Sequence, residues 1–273
     1  YRRQRQMCIR DSMQAAYRYP ENFSDFVYAS QLLQADGIRY GVEHYRRNRG
    51  RCMGAIYWQL NDCWPVISWS SIDYYGRWKA LHYYVKRFFA PVMLSCEEQS
   101  WMTVEADMNR QHFEFEKSIR LNVTNETLDA HRVLVKWAVR KTDATILREE
   151  EQWLEVPALS AVWMDKVELP QIDCFNEYVS YEAWENDQII SQGTVIFSYP
   201  KYFHYLNPGL AVRVDGDEIV VKAEAYAKSV EIRNENDDLI LEDNYFDMNA
   251  GEYRVKILDG KPDGLKVRSV YDI

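Results

Sequence analysis

The chain reads as α/β plus all-β, a helix-rich opening segment followed by two β-rich modules, and three observations predict this. Residues 22–89 carry two stretches of helical period around one short apolar run. Residues 93–199 alternate with period two, and residues 209–273 alternate again after a linker marked by Pro200, Pro208 and Gly209. Length agrees, since 273 residues make one to three domains at roughly 100–200 residues each. At 47% hydrophobic and 14% aromatic, the chain is too apolar to stay disordered.

The most basic stretch comes first, Tyr1 to Ser12, reading YRRQRQMCIRDS. It has neither the apolar core nor the small-residue cleavage site of a signal peptide. One codon choice for Arg2 to Asp11 resembles the transposase adaptor of short-read library preparation, so residues 1–12 are expected to be non-native. Setting aside Arg2, Arg3, Arg5, Arg10 and Asp11 leaves 29 basic and 41 acidic residues, moving the net charge from −9 to −12. On this reading native sequence extends upstream of Met13.

Residues 22–50 predict a helix. Asn22 and Ser24 suit its N-cap, Phe26, Ser30, Leu33, Gly37, Tyr40 and His44 trace one face, and Arg46, Arg47 and Arg49 offset the dipole at its end. Met53 to Leu60 is apolar without clean alternation, which fits a strand buried on both faces. A second helix follows at about 76–89, with Trp78, Leu81, Val85, Phe88 and Phe89 inward. Helix, buried strand, helix is the grammar of an α/β barrel or a doubly wound sheet. About two such units are present, where a barrel needs eight, so the segment cannot close alone.

In the first β-rich module, Val133, Val135, Trp137 and Val139 share a face while Arg132, Lys136 and Arg140 lie opposite. Similar runs near 100–105, 116–123, 145–154, 161–168, 178–185 and 188–197 make about seven strands, enough for a β-sandwich. The last module alternates through Leu210–Val214, Ile219–Val221, Val230–Ile232, Tyr253–Ile257 and Leu265–Val267. Asp215-Gly216, Asp259-Gly260 and Pro262-Asp-Gly264 supply its turns.

Several function classes drop out. A net charge of −9 argues against a nucleic-acid binder. No apolar run reaches the roughly 18–20 residues of a membrane span. Cys8, Cys52, Cys63, Cys96 and Cys174 form no CxxC pair and the five histidines lack ligand spacing, so no metal is expected. No glycine-rich phosphate loop occurs, so no nucleotide cofactor is expected either. Localisation is left undecided among cytoplasmic, periplasmic and secreted, scattered cysteines leaning toward a reducing compartment. Asn22, Asn122 and Asn125 sit in glycosylation-type triplets, read as coincidence.

The chemically informative stretch is Tyr57-Trp-Gln-Leu-Asn-Asp-Cys-Trp-Pro65, followed by Ser68-Trp-Ser-Ser-Ile-Asp-Tyr-Tyr-Gly-Arg-Trp78. It places Trp58, Asn61, Asp62 and Trp64 just past the predicted buried strand, where α/β barrels keep their active sites. Indole faces beside amide and carboxylate suit a sugar, whose C–H face stacks while its hydroxyls hydrogen-bond. Packing and turn chemistry is the plainer explanation of the same residues, and Trp78 and Asp73 are assigned to core and cap. Glu43, beside Arg46 and Arg47, reads as a surface ion pair, and Glu149-Glu150-Glu151 as a solvated strand face.

Residues 53–92, MGAIYWQLNDCWPVISWSSIDYYGRWKALHYYVKRFFAPV, resemble the end of the barrel in β-mannosidases of glycoside hydrolase family two. Residues 19–51 resemble the helix entering that strand, and FSYPKYFHYLNPGL (197–210) and EDNYFDMNAGEYRVKIL (242–258) the family's linker and terminal immunoglobulin-like domain. The resemblance implies the C-terminal piece of a (β/α)8 barrel over 13–92, then immunoglobulin-like β-sandwich domains over 93–199 and 200–273. It implies a retaining exo-glycosidase that releases mannose from β-mannosides through two glutamates about 5–5.5 Å apart. In the family both lie on earlier strands, so no catalytic residue is assigned here and the chain alone is expected to be inactive. Its partners would be a β-mannoside and the remaining barrel and β-domains of its own chain. Trp58 matches the sugar platform; Asn61, Asp62 and Trp64 shape the pocket.

Two alternatives stay open. One is another family-two activity, a β-galactosidase, β-glucuronidase or exo-β-glucosaminidase. The other is a non-catalytic carbohydrate-binding or structural module over 93–273. Tryptophans 101, 137, 153, 163 and 184 are scattered over strands, which favours core packing.

Overall fold

The computed structural model describes residues 11–103 and 115–273. Apart from Asp11, the adaptor-like stretch Arg2 to Asp11 lies outside the described residues, as does the end of the strand expected near 100–105. Two compact units emerge: Tyr1–Tyr40, Ile56–Lys86 and Tyr205–Ile273 in one, Gly41–Ala55 and Arg87–His204 in the other. Helix α1 (Phe23–Arg47) runs through residues of both.

Helix α1 starts where Asn22 Oδ1 accepts the Asp25 backbone N–H at 3.0 Å, the N-cap expected of an Asx residue. Its buried stripe is not the face traced by Phe26, Ser30, Leu33, Gly37, Tyr40 and His44, of which Gly37, Tyr40 and His44 are exposed. The stripe runs instead through Tyr28, Ala29, Leu32, Ala35, Val42, Glu43, Arg46 and Arg47. The periodicity misleads because its C-terminal positions are charged, and they are buried by pairing rather than excluded by polarity.

In the unit holding the chain's end, seven strands beyond residue 205 build two sheets. Strands β9 (Ala211–Asp215), β10 (Glu218–Ala223), β14 (Gly251–Asp259) and β12 (Ile240–Leu241) form one, in the order β12-β14-β10-β9. Strands β11 (Ala227–Arg233), β13 (Phe246–Met248) and β15 (Lys266–Arg268) form the other, in the order β13-β11-β15. Gly216, Gly260 and Gly264 all take positive φ, as the turn chemistry required. Helix α2 (Ala80–Phe88) contributes buried Leu81, Tyr83 and Tyr84 to this unit. Tyr84 and Tyr28 both reach Ser229, the Tyr28 hydroxyl donating to its carbonyl at 2.5 Å. Arg268 is held by Glu231 and, at 3.0 Å, by Asp25.

The other unit is a sandwich of two antiparallel sheets. One contains β1 (Val92–Gln99), β2 (Ser118–Asn125), β5 (Ser160–Trp163) and β6 (Val167–Glu168). The second runs β4-β3-β7-β8, with β3 at His131–Lys141, β4 at Ile146–Val156, β7 at Glu177–Glu185 and β8 at Gln188–Ile196. The predicted inner face of β3 is confirmed: Val133, Val135, Trp137 and Val139 are buried and pack with Leu94, Ile119, Leu121 and Phe197. The strand expected near 100–105 is displaced: the ladder occupies Val92–Gln99, and Trp101–Thr103 form a turn. Glu149, Glu150 and Glu151 are solvated, as read. Asn122 and Asn125 are fully buried in β2, which removes them as glycosylation acceptors.

The Glu43 pair is corrected. Glu43 and Arg47 are buried, with Arg47 Nη1 3.6 Å from Glu43 Oε2 and donating to the Cys96 carbonyl at 3.2 Å. Arg46 Nη1 donates to the Phe88 carbonyl at 2.7 Å. Burial also pushes the Cys96 thiol well up, and the four described cysteines are free. No described helix is long and apolar enough to cross a membrane.

The buried parallel strand expected at Met53 to Leu60 is also corrected. Those residues join no ladder; Asn61 bridges Ile72 and Ile72 bridges Trp78 as isolated pairs. Every ladder between named strands is antiparallel, so a barrel piece is not evident among the described residues. Met53, Ile56, Trp58 and Leu60 are exposed, and no strand among the described residues pairs with them.

Candidate functional site

The loop from Tyr57 to Lys79 is a clasp built on one carboxylate. Asp62 Oδ1 accepts the Ser68 hydroxyl at 2.6 Å, and Oδ2 accepts the Ser70 hydroxyl at 2.6 Å. Lys79 Nζ donates to Ser70 Oγ at 2.9 Å and stands 3.9 Å from Asp62 Oδ2. The Ser68 and Ser70 hydrogen bonds hold the Asp62 carboxyl below its ordinary range, since each favours the charged form. Burial lowers the Lys79 ammonium and keeps the His82 imidazole neutral-leaning.

Backbone bonds tie the two arms of the loop. Ile72 N–H donates to the Leu60 carbonyl at 2.8 Å, and Asp62 N–H to the Ile72 carbonyl at 3.2 Å. Ser71 Oγ lies 3.0 Å from the Tyr57 hydroxyl and 3.2 Å from His82 Nδ1. Helix α1 supports both ends: Gln34 Nε2 donates to the Trp69 carbonyl at 2.8 Å, and Gln31 Oε1 accepts the Ala80 N–H at 3.0 Å, capping α2. Asp73 accepts the Tyr75 and Arg77 N–H groups and the Arg77 guanidinium, which makes it the loop cap it was read as.

The four sequence-predicted residues therefore separate by role. Asp62 is only 6% exposed and spends its oxygens inside the clasp. Trp58 at 71% and Trp64 at 67% exposure project from it, with Asn61 exposed beside them. The peptide bond between Trp58 and Gln59 is cis. Trp69, Tyr74 and Tyr75 in the same loop are exposed as well. Sequence reasoning missed Ser68, Ser70, Ser71 and Lys79; the signal was the spacing of small hydroxyls through Ser68-Trp-Ser-Ser71, too common a pattern to stand out. Trp78 is half-buried against His82 and Tyr83, in keeping with a packing role. No group of three or more His, Cys, Asp or Glu among the described residues could hold a metal ion.

A helix-supported aromatic loop accompanied by two sandwiches defines a multidomain protein with immunoglobulin-like modules. Residues 117–202 match the Mannosidase Ig/CBM-like domain, and residues 205–273 match the Ig-fold domain of mannosidases. A β-mannosidase B of Thermothelomyces thermophilus is 28% identical over 275 aligned residues, covering 92% of this chain and 32% of that protein. A β-mannosidase of Capra hircus is 49% identical over 78 residues, 26% of this chain and 9% of that protein. Among solved structures, the β-D-mannosidase of Dictyoglomus thermophilum superposes with a TM-score of 0.77 at 24% identity, over 96% of this chain and 31% of that one. An Amycolatopsis orientalis exo-chitosanase superposes with a TM-score of 0.63 at 15% identity, over 95% of this chain and 36% of that one, a likeness of fold. The chain thus spans about a third of the length of the relatives it matches end to end. It carries the two mannosidase-type immunoglobulin domains and is similar to β-mannosidases along most of its length.

Proposed function

We infer that this chain supplies one wall of the sugar pocket of a retaining β-mannosidase. The observation that carries the reading is the contrast within the loop: a buried Asp62 bonded to Ser68 and Ser70, and exposed Trp58 and Trp64. A carboxylate that is spent on Ser68 and Ser70 holds shape rather than transferring protons. Exposed indoles offer the flat apolar surface on which a pyranose C–H face stacks. Asn61 stands beside them as the hydroxyl-directed group.

On this reading residues 53–60 are a barrel strand whose neighbours lie elsewhere in a longer polypeptide. Ile56 and Trp58, two positions apart, would then share one face of that strand, the face turned to the pocket. Double displacement needs two carboxyl groups about 5–5.5 Å apart. Asp62 and Asp73, the acids of this loop, are both committed to structural hydrogen bonds. The chain by itself should therefore leave 4-nitrophenyl β-D-mannoside intact. Turnover by the purified 273-residue chain, surviving substitution of Asp62, would overturn this assignment.

A further inference from the structure

The outer face of the β4-β3-β7-β8 sheet carries a second aromatic feature, independent of the Trp58 loop. Register places Trp153 directly opposite Leu134, Leu134 opposite Trp184, and Trp184 opposite Ile189. Side chains directly opposite on an antiparallel sheet share a face, so these four residues make one apolar row crossing all four strands. Two interstrand steps separate the indoles by ~9.5 Å, the reach of a short oligosaccharide. The reading of all five sandwich tryptophans as core thus holds for Trp137, which is 3% exposed, and fails for Trp153, which is 54% exposed.

The surroundings restrict the ligand. Arg132 stacks on Trp153 with its guanidinium 4.6 Å from the ring centroid, and Lys136 Nζ lies 5.3 Å from that of Trp184. More than half of Trp153 stays exposed with the guanidinium in place. Both cations are paired in turn, Arg132 with Glu155 at 3.4 Å and Lys136 with Glu151 at 3.6 Å, while the Trp184 indole N–H donates to Glu182 at 2.8 Å. Three carboxylates against two cations leave no positive surplus, which disfavours a polyanion. Rings pinned by neighbours lose little freedom on binding.

We propose that this face is a carbohydrate-binding platform for neutral, β-linked oligosaccharides, with Trp153 and Trp184 as its stacking rings. Equatorial β-linkages give a flat ribbon whose C–H faces can lie along the row, and Glu151, Glu155 and Lys136 border it with hydrogen-bonding groups for the hydroxyls.

The test is calorimetric titration of the 273-residue chain with β-1,4-mannohexaose, β-1,4-cellohexaose and an oligogalacturonate. Saturable binding of at least one neutral hexaose is expected, unchanged by Leu128→Ala, an exposed apolar position off the row. Losing one aromatic anchor should weaken it by roughly tenfold or more in Trp153→Ala. Because Trp184 is half-buried, Trp184→Phe serves beside Trp184→Ala, with near-UV circular dichroism reporting the fold. No binding of either neutral hexaose, affinity unchanged in Trp153→Ala, or binding abolished by Trp58→Ala would each overturn the platform. So would oligogalacturonate binding as tightly as the neutral sugars. Failure here leaves the Trp58 pocket untouched, since the two sites share no residue.

Discussion

Replacing Arg47 by Met separates a buried ion pair from the surface pair that the sequence suggested. The substitution keeps the apolar stem and removes the guanidinium, which is 2% exposed and faces Glu43 at 3.6 Å and the Cys96 carbonyl at 3.2 Å. Removing one partner of a buried pair costs about 3–5 kcal/mol, because the other charge stays desolvated. Arg47 Nε is itself buried without a hydrogen-bond partner. Deleting that unsatisfied donor returns about 1–3 kcal/mol. The net loss is about 2 kcal/mol, where a surface pair would lose about 0–1 kcal/mol. Urea unfolding followed by tryptophan fluorescence should show the midpoint falling by about 1 M for a slope near 2 kcal/mol/M. Hydrogen exchange of Val92–Gln99 assigns the transition to the right unit. Lys166→Ala, which breaks the exposed pair with Glu116, is the control and should move it little. A midpoint in Arg47→Met no lower than in that control would refute the argument.

Three further outcomes follow from particular groups. Burial pushes the Tyr83 hydroxyl up to about 12. The folded state holds that proton more tightly, so its stabilisation is complete below the ordinary tyrosine value of about 10 and is lost as pH rises through the folded value; alkaline denaturation of Tyr83→Phe should lack this component, and an unchanged alkaline limb would count against it. For Asp62 the sign is opposite. Its carboxyl is held down by Ser68 and Ser70, so stability is present above the ordinary carboxylate value of about 4 and is lost as pH falls through the lower folded value. The double change Ser68→Ala and Ser70→Ala should move the Asp62 carboxyl resonance to titrate at higher pH, and an unmoved titration would show that the clasp does not act on it. Gly260 has φ +87°, and a Cβ there would sit 2.9 Å from the Asp238 carbonyl oxygen. Gly260→Ala should therefore destabilise by more than ~1 kcal/mol in thermal unfolding, and a neutral result would mean the turn rearranges freely.

Much of the β architecture was legible because alternation reports burial directly. Val133, Val135, Trp137 and Val139 alternate with charged neighbours, and register follows from that face. Helix α1 was legible in extent but not in face, since Arg46 and Arg47 are buried against the Phe88 and Cys96 carbonyls and Glu43 against Arg47. The run Met53 to Leu60 shows the opposite failure. Its composition describes a strand buried on both faces, yet burial needs covering strands that periodicity cannot supply. At the candidate site Trp58, Asn61, Asp62 and Trp64 were found by residue type. Asp62's structural task was not, because it depends on Ser68, Ser70 and Lys79 folding back across six to seventeen residues. The tryptophan row on the outer sheet was hidden for a related reason: Trp153 and Trp184 are 31 positions apart and meet only through β3.

The most direct measurement is the kcat/KM for 4-nitrophenyl β-D-mannoside of a chimera in which this chain replaces the aligned third of the Thermothelomyces β-mannosidase B. If the loop is one wall of the sugar pocket, the chimera turns over substrate, and Trp58→Ala within it loses roughly a hundredfold or more, the scale of losing a positioning contact. A folded chimera whose activity is the same with Ala at position 58 would contradict the account.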